Sequence, residues 1–249
     1  MNIAIIPARG GSKRIPRKNI KSFLGKPIIA YSIIETLKCG LFSEVIVSTD
    51  DDEIADIAIK YGAKVPFFRS AETANDYAPL AAVVEEVVVE LEKMDYQIDN
   101  ICCILPTAPL ISADDIIALY NKLISDITIT SVIPVVRFSY PILRSLSMDA
   151  QGMLKMNWAE YLNTRSQDLP SAYHDSGSFY WISRDALLCE HKIITEKCAG
   201  VEVDELKVQG EFDEKNLVLD GILVYVSNIE YSNEVNKLTV VLISISYSP

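Results

Sequence analysis

The chain has 249 residues, 49% of them hydrophobic and 23% charged, with a formal net charge of −11. That length fits one α/β domain with a sizeable core of its own, with or without an appendage. Thirty-four acids against 23 bases leave no broad basic face for general nucleic-acid binding, though one local basic pocket for a small anion remains compatible with that balance.

Taken in chain order, short apolar runs alternate with helical patterns. Ile3–Ile6 reads as a strand. Pro27–Lys38 reads as a helix: Pro27 suits a first turn, and Ile29, Ile33 and Leu37 recur at helical spacing. Glu44–Ser48 is a second strand. Asp51–Tyr61 is a helix with Ile54, Ile57, Ala58 and Tyr61 inward, stopped by Gly62. Ala78–Lys93 is helical, and Ile101–Leu105 is a strand ending at Pro106. Ser112 to Asp115 resembles a capping box and opens a helix to about Leu123. Ile127–Val136 and Ser178–Ile182 are β-rich.

This alternation predicts a mostly parallel sheet covered by helices. Ligands of such sheets bind at the carboxyl ends of strands, so the exits Pro7–Lys18, Ser48–Asp52 and Pro106–Pro109 are candidate site walls. Phe138–Pro170 has weaker periodicity and reads as an insertion or arm. From Asn216 to Pro249 the chain turns β-rich with little charge. The five cysteines have no metal-type spacing and are expected as reduced thiols in a cytoplasmic protein, Cys102 and Cys103 in a buried strand. The initial apolar run is short and precedes its basic residues, unlike a secretory leader. No apolar run reaches the ~18 residues of a membrane span.

The segment after the first strand, PARGGSKRIPRKN, concentrates charge. Arg9, Lys13, Arg14, Arg17 and Lys18 within it and Lys21 just after it are basic, and no acid occurs before Glu35. Gly10 and Gly11 let the backbone turn closely and present N–H groups to an anion, with Ser12 as a further donor. Neither GxxxxGK[ST] nor GxGxxG is present.

This loop resembles the nucleotide-binding loop of the cytidylyltransferases that activate nonulosonic, sialic-type sugars. VSTDDDEIADIAIKYGA, PFFRSAE and LPTAPL continue the resemblance in order, which spans about residues 1 to 209. YLNTRSQDLPSAYHDSGSFYW, with VVRFSYPI, is more similar to the pseudaminic acid branch than to the neuraminate branch. The glutamine that sialate enzymes often carry before the proline is Leu105 here, which suits another sugar than neuraminate.

The resemblance implies a Rossmann-like sheet sandwiched by helices, of the nucleotide-diphospho-sugar transferase type, with a small dimerisation arm at about 138–170 inside a domain of residues 1–215. It implies transfer of CMP from CTP to the anomeric hydroxyl of a nonulosonic acid, with release of pyrophosphate, for surface glycan or flagellin glycosylation. Ala8, Arg9, Gly10, Gly11, Ser12, Lys13, Lys18, Asn19, Arg69, Pro106 and Thr107 match nucleotide-binding positions, with Arg9, Lys13 and Lys18 on the phosphates. Arg165 matches the sugar region, where a guanidinium can grip a carboxylate through two parallel hydrogen bonds. Gln167, Tyr173, His174 and Ser176 lie near it in sequence, His174 as a binder and not a base. Mg²⁺ or Mn²⁺ is the implied cofactor, and a homodimer with Arg165 acting in trans the implied assembly.

The family holds its metal with an acid-x-acid pair. Aligned without a gap, Gly210 and Phe212 occupy those positions and the site is lost; with one inserted residue, Glu211 and Asp213 keep the spacing. On a strand those two would share one face. Were the site lost, the chain would be a CTP-binding protein with little or no turnover. The C-terminal helix of the family is replaced here by the β-rich 216–249 tail.

Overall fold

A computed structural model describes residues 1–12 and 15–208. Strand β1 (Asn2–Pro7) leads through the basic loop into a small hairpin, β2 (Ser22–Phe23) and β3 (Lys26–Pro27). Helix α1 (Ile28–Lys38), β4 (Glu44–Ser48), α2 (Asp52–Lys60), α3 (Leu80–Lys93), β5 (Asn100–Ile104) and α4 (Ala113–Ile124) follow. Then come β6 (Ser131–Arg137), the hairpin β7 (Leu146–Met148) and β8 (Leu154–Met156), β9 (Tyr173–Asp175), β10 (Phe179–Ser183), α5 (Arg184–Glu190) and β11 (Cys198–Glu202).

The main sheet runs β11-β6-β10-β5-β1-β4, with β9 also on β6. β1 pairs parallel with β4 and β5, and β6 with β11, as the α/β alternation predicts; β10 is antiparallel to β5 and β6. Alternate side chains of each strand serve opposite faces. Ala4, Ile6, Val45, Val47, Cys102, Ile104 and Trp181 pack against α1, α2 and α4 through Ile29, Ile33, Ile54, Ala58, Ile116 and Leu119. Ile3, Ile5, Ile46, Ile101, Cys103, Tyr180 and Ile182 pack against α3 and α5 through Val84, Val87, Val88, Leu91 and Leu187. Trp181 is fully buried, stacked on Phe42 with ring centres 5.2 Å apart, and its indole N–H donates to the Ile116 carbonyl at 3.0 Å.

Caps fix the helix starts. Asp51 accepts the Ile54 N–H at 3.0 Å and Ser112 accepts that of Asp115 at 3.3 Å, satisfying donors that a first turn leaves free. Gly62, at φ 98°, ends α2 in the left-handed region that favours glycine. Leu37, expected inward, is 43% exposed at the end of α1; the buried face of that helix instead continues through Thr36. The cysteines are free thiols, and burial pushes Cys103 up to about 12.

Residues 138–172 leave the sheet between β6 and β9 and carry the β7–β8 hairpin. Leu146, Met148, Met153, Leu154 and Leu162 on this excursion are more than half exposed. After β11, Lys207 pairs with Asp115 of α4 at 2.9 Å. The 215/216 boundary and the 216–249 tail lie outside the described residues.

Candidate active site

The loop after β1 is bound to the exit of the neighbouring strand β4. The Ala8 N–H donates to the Ser48 carbonyl at 2.8 Å, extending the parallel ladder by one rung. The Gly10 N–H donates to Asp50 Oδ1 at 2.8 Å. A Cβ at Gly10 would sit 2.5 Å from Asp51 Oδ2 and 2.9 Å from Asp51 Cβ, so only glycine lets the loop approach so closely. A Cβ at Gly11 would meet no described residue other than its chain neighbours within 4 Å.

Arg17 holds a left-handed conformation at φ 57°, unfavourable for a residue with a side chain. Its guanidinium pairs with Asp51 and Glu53, fastening the loop to the start of α2. The Arg17 hydrogen bond holds the Asp51 carboxyl below its usual range. Arg17 therefore serves the architecture of the loop. Asn19 is buried and donates through Nδ2 to the Arg9 carbonyl at 2.9 Å, fixing the backbone of that arginine.

A cleft of about 600 Å³ opens at the carboxyl ends of β1 and β5, where Pro7 and Leu105 reach its wall. Arg9, Ser12, Lys18, Asn19 and Arg69 line it together. Arg69 is only 8% exposed. Its Nε donates to Ser48 Oγ at 3.0 Å and a terminal nitrogen to the Ser48 carbonyl at 2.7 Å, while its own N–H reaches the Thr49 carbonyl at 2.8 Å. Burial lowers its pKa, and the nearby Asp50 and Glu86 carboxylates oppose that shift. It stays charged, because an arginine of this kind does not titrate near neutrality.

The far wall is the segment between Arg69 and α3, from which Thr73, Asn75, Asp76, Tyr77 and Ala78 line the cleft. Glu86 of α3 accepts the Ser70 N–H at 2.8 Å and the Thr73 hydroxyl. Burial pushes the Glu86 carboxyl up, but these hydrogen bonds prevail and its pKa is lowered. Asn75 Oδ1 accepts the N–H groups of Tyr77 and Ala78 at 2.8 and 3.0 Å. Asp76 pairs with Arg9 across the cleft. The sequence motifs point to Arg69 and not to this wall, although Asn75-Asp76 shortly before Pro79, the residue that precedes α3, is a recognisable turn signal.

Ala8 and Pro106 are buried, and neither they nor Gly10, Gly11 and Thr107 are on the wall of the cleft. Lys13, Glu211 and Asp213 lie outside the described residues. Among the described residues, no group of three or more His, Cys, Asp or Glu is placed to hold a metal ion.

The expected sugar residues are spread over a second region. Gln167 lines a cleft of about 640 Å³ at the base of the arm, with Arg137, Phe138, Tyr140 and Glu202. Tyr173 and His174 are exposed on β9; the His174 ring lies 5.0 Å from that of Phe138 and its Nδ1 is 2.9 Å from the Asp175 carbonyl. Arg165 is exposed on the arm, 3.8 Å from Asp168. Ser176 is buried in the turn between β9 and β10, its hydroxyl bonded to that of Ser178 at 2.6 Å. The structure thus assembles Arg9, Ser12, Lys18, Asn19 and Arg69 in one cleft, brings Gln167 to the other, and leaves Arg165, Tyr173, His174 and Ser176 off both. A larger cleft of about 1170 Å³ borders Asn100 and Ser183, at the amino-terminal end of β5 and away from the strand exits that ligands favour.

A basic glycine loop facing a cleft at the carboxyl edge of a mostly parallel sheet, with a buried arginine beside it, is the arrangement of an α/β nucleotide-binding protein. The chain belongs to the cytidylyltransferase family, whose profile matches residues 3–141, and is a nucleotidyltransferase. It is 42% identical over 199 residues to a pseudaminic acid cytidylyltransferase of Campylobacter jejuni, an alignment covering 78% of this chain and 85% of the relative. It is 37% identical over 152 residues to a CMP-N,N'-diacetyllegionaminic acid synthase of Legionella pneumophila, covering 61% of this chain and 65% of the relative. Among solved structures, CMP:2-keto-3-deoxy-manno-octonic acid synthetase complexed with CTP superposes with a TM-score of 0.66 at 18% identity. That match covers 91% of this chain and 98% of the other, and speaks for the fold.

Proposed function

We propose that the chain transfers CMP from CTP to the anomeric hydroxyl of pseudaminic acid. The bond from the anomeric oxygen to the α-phosphorus forms, the bond from that phosphorus to the bridging oxygen of the β-phosphate breaks, and pyrophosphate and the hydroxyl proton leave. The observation that carries this reading is the convergence of Arg9, Ser12, Lys18 and Arg69 on one cleft in a chain so similar to the C. jejuni enzymes. In this reading the 600 Å³ cleft takes CTP, and its cations stabilise charge developing on the phosphates. Gln167, Tyr173 and His174 supply sugar contacts near β9, and Arg165, on the exposed arm, takes the sugar carboxylate from a second subunit of a homodimer.

Glu211 and Asp213 are the proposed ligands of Mg²⁺ or Mn²⁺, which when bound shares the phosphate charge and aids departure of pyrophosphate. Similarity to the Legionella enzyme favours legionaminic acid as the second candidate sugar. The test is pyrophosphate release with CTP and each sugar, with and without chelator. Release that requires metal and is fastest with pseudaminic acid supports the proposal. Release with none of pseudaminic, legionaminic or neuraminic acid refutes it.

A further inference from the structure

We propose that Asp76 is a positioning residue for Arg9, holding its guanidinium at the wall of the cleft so that it meets the triphosphate already ordered. The inference rests on the reading of this cleft as the CTP site. Arg9 follows β1 on an irregular loop, and a long side chain there would lose much rotamer freedom on binding an anion. Two contacts order the residue beforehand, one at its backbone and one at its side chain. The Asn19 amide holds the Arg9 carbonyl at 2.9 Å, and the Asp76 carboxylate takes one terminal nitrogen, Nη1. A guanidinium has five N–H donors, so one carboxylate contact leaves others for phosphate oxygens.

Asp76 can do this because its own segment is tied down. Glu86 fastens the segment at Ser70 and Thr73, and Asn75 fastens it at Tyr77 and Ala78, on either side of Asp76. Asp76 is an exposed residue, but the paired side chains of Arg9 and Asp76 keep only 31% and 23% of their surface open, so water weakens the pair without abolishing it. The opposing effect is repulsion between the Asp76 carboxylate and the phosphates. Pre-ordering outweighs it if the pair works as a unit, and a double-mutant cycle measures that directly.

CTP binding to the full chain is measured by calorimetry for wild type, Asp76→Ala, Asp76→Asn, Arg9→Ala and the Arg9→Ala/Asp76→Ala double variant, with melting temperatures alongside. Asp76→Ala is expected to weaken CTP binding about fivefold, near the upper end for a partly exposed pair. Asp76→Asn, which keeps an acceptor, is expected to weaken it less. The double variant should bind no worse than Arg9→Ala alone. Unchanged or tighter binding by Asp76→Ala, or losses that add in the double variant, overturn the proposal. If Arg9→Ala binds CTP as wild type does, the reading of the cleft fails first, and the role of Asp76 with it.

Discussion

Arg69→Met separates a binding role from a structural one at the cleft floor. The substitution removes the charge and keeps most of the side-chain volume. Two hydrogen bonds are lost, to Ser48 Oγ and to the Ser48 carbonyl. The carbonyl is not orphaned, because it keeps the Ala8 N–H at 2.8 Å. Removing the guanidinium also lifts the cost of its burial, which acts in the opposite direction. The net change in stability should therefore stay within about 1 kcal/mol, or roughly 2–4 °C in Tm for a chain of this size. A lost charge-assisted bond to phosphate costs about 2 kcal/mol, or roughly thirtyfold in Kd. Calorimetric titration with CTP and thermal melting of the same samples give both quantities. Arg69→Lys, with charge but no fork, should fall between. Wild-type CTP affinity with a Tm lowered by about 10 °C or more would show that Arg69 only holds the loop.

Gly10→Ala should abolish or greatly weaken CTP binding, since its Cβ would collide with the Asp51 side chain, whereas Gly11→Ala should bind nearly normally; titration of both variants checks the contrast. Trp181→Ala should cost about 3–5 kcal/mol in denaturant unfolding, as a buried aromatic is lost and the Ile116 carbonyl loses its indole partner. The Asp51 carboxyl is held below its ordinary value of 3.8 by the Arg17 hydrogen bond and by capping α2. A depressed folded pKa contributes stability above that ordinary value and loses it as pH falls through the folded one. Asp51→Asn should therefore be less stable than wild type at neutral pH, with the difference shrinking below about pH 4 in acid titrations followed by circular dichroism.

The sheet was legible in the sequence because buried parallel strands are continuous apolar runs bounded by helix caps. Glu44–Ser48 matches its strand residue for residue, and Asp51 and Ser112 sit at the caps where their side-chain oxygens are needed. The short elements were not legible: β9 and β11 carry mostly exposed or half-buried residues, with no hydrophobic period to mark them. Leu37 fits the helical period yet faces outward, because a period does not say where the packing partner ends. The basic loop announced its ligand class through charge, but its wiring did not. Arg17 belongs to the same basic cluster in the sequence, yet spends its charge on Asp51 and Glu53. The opposite wall was missed because Asp76 acts through a pairing across 67 positions, which no local pattern reports.

The central claim is the reaction itself, and the most direct measurement is the initial rate of pyrophosphate release with CTP, Mg²⁺ and pseudaminic acid, set against legionaminic and neuraminic acids. The account predicts release with CMP-pseudaminic acid as co-product, at the highest kcat/KM of the three sugars, and its loss on chelation. CTP binding without release from any of these sugars would contradict it.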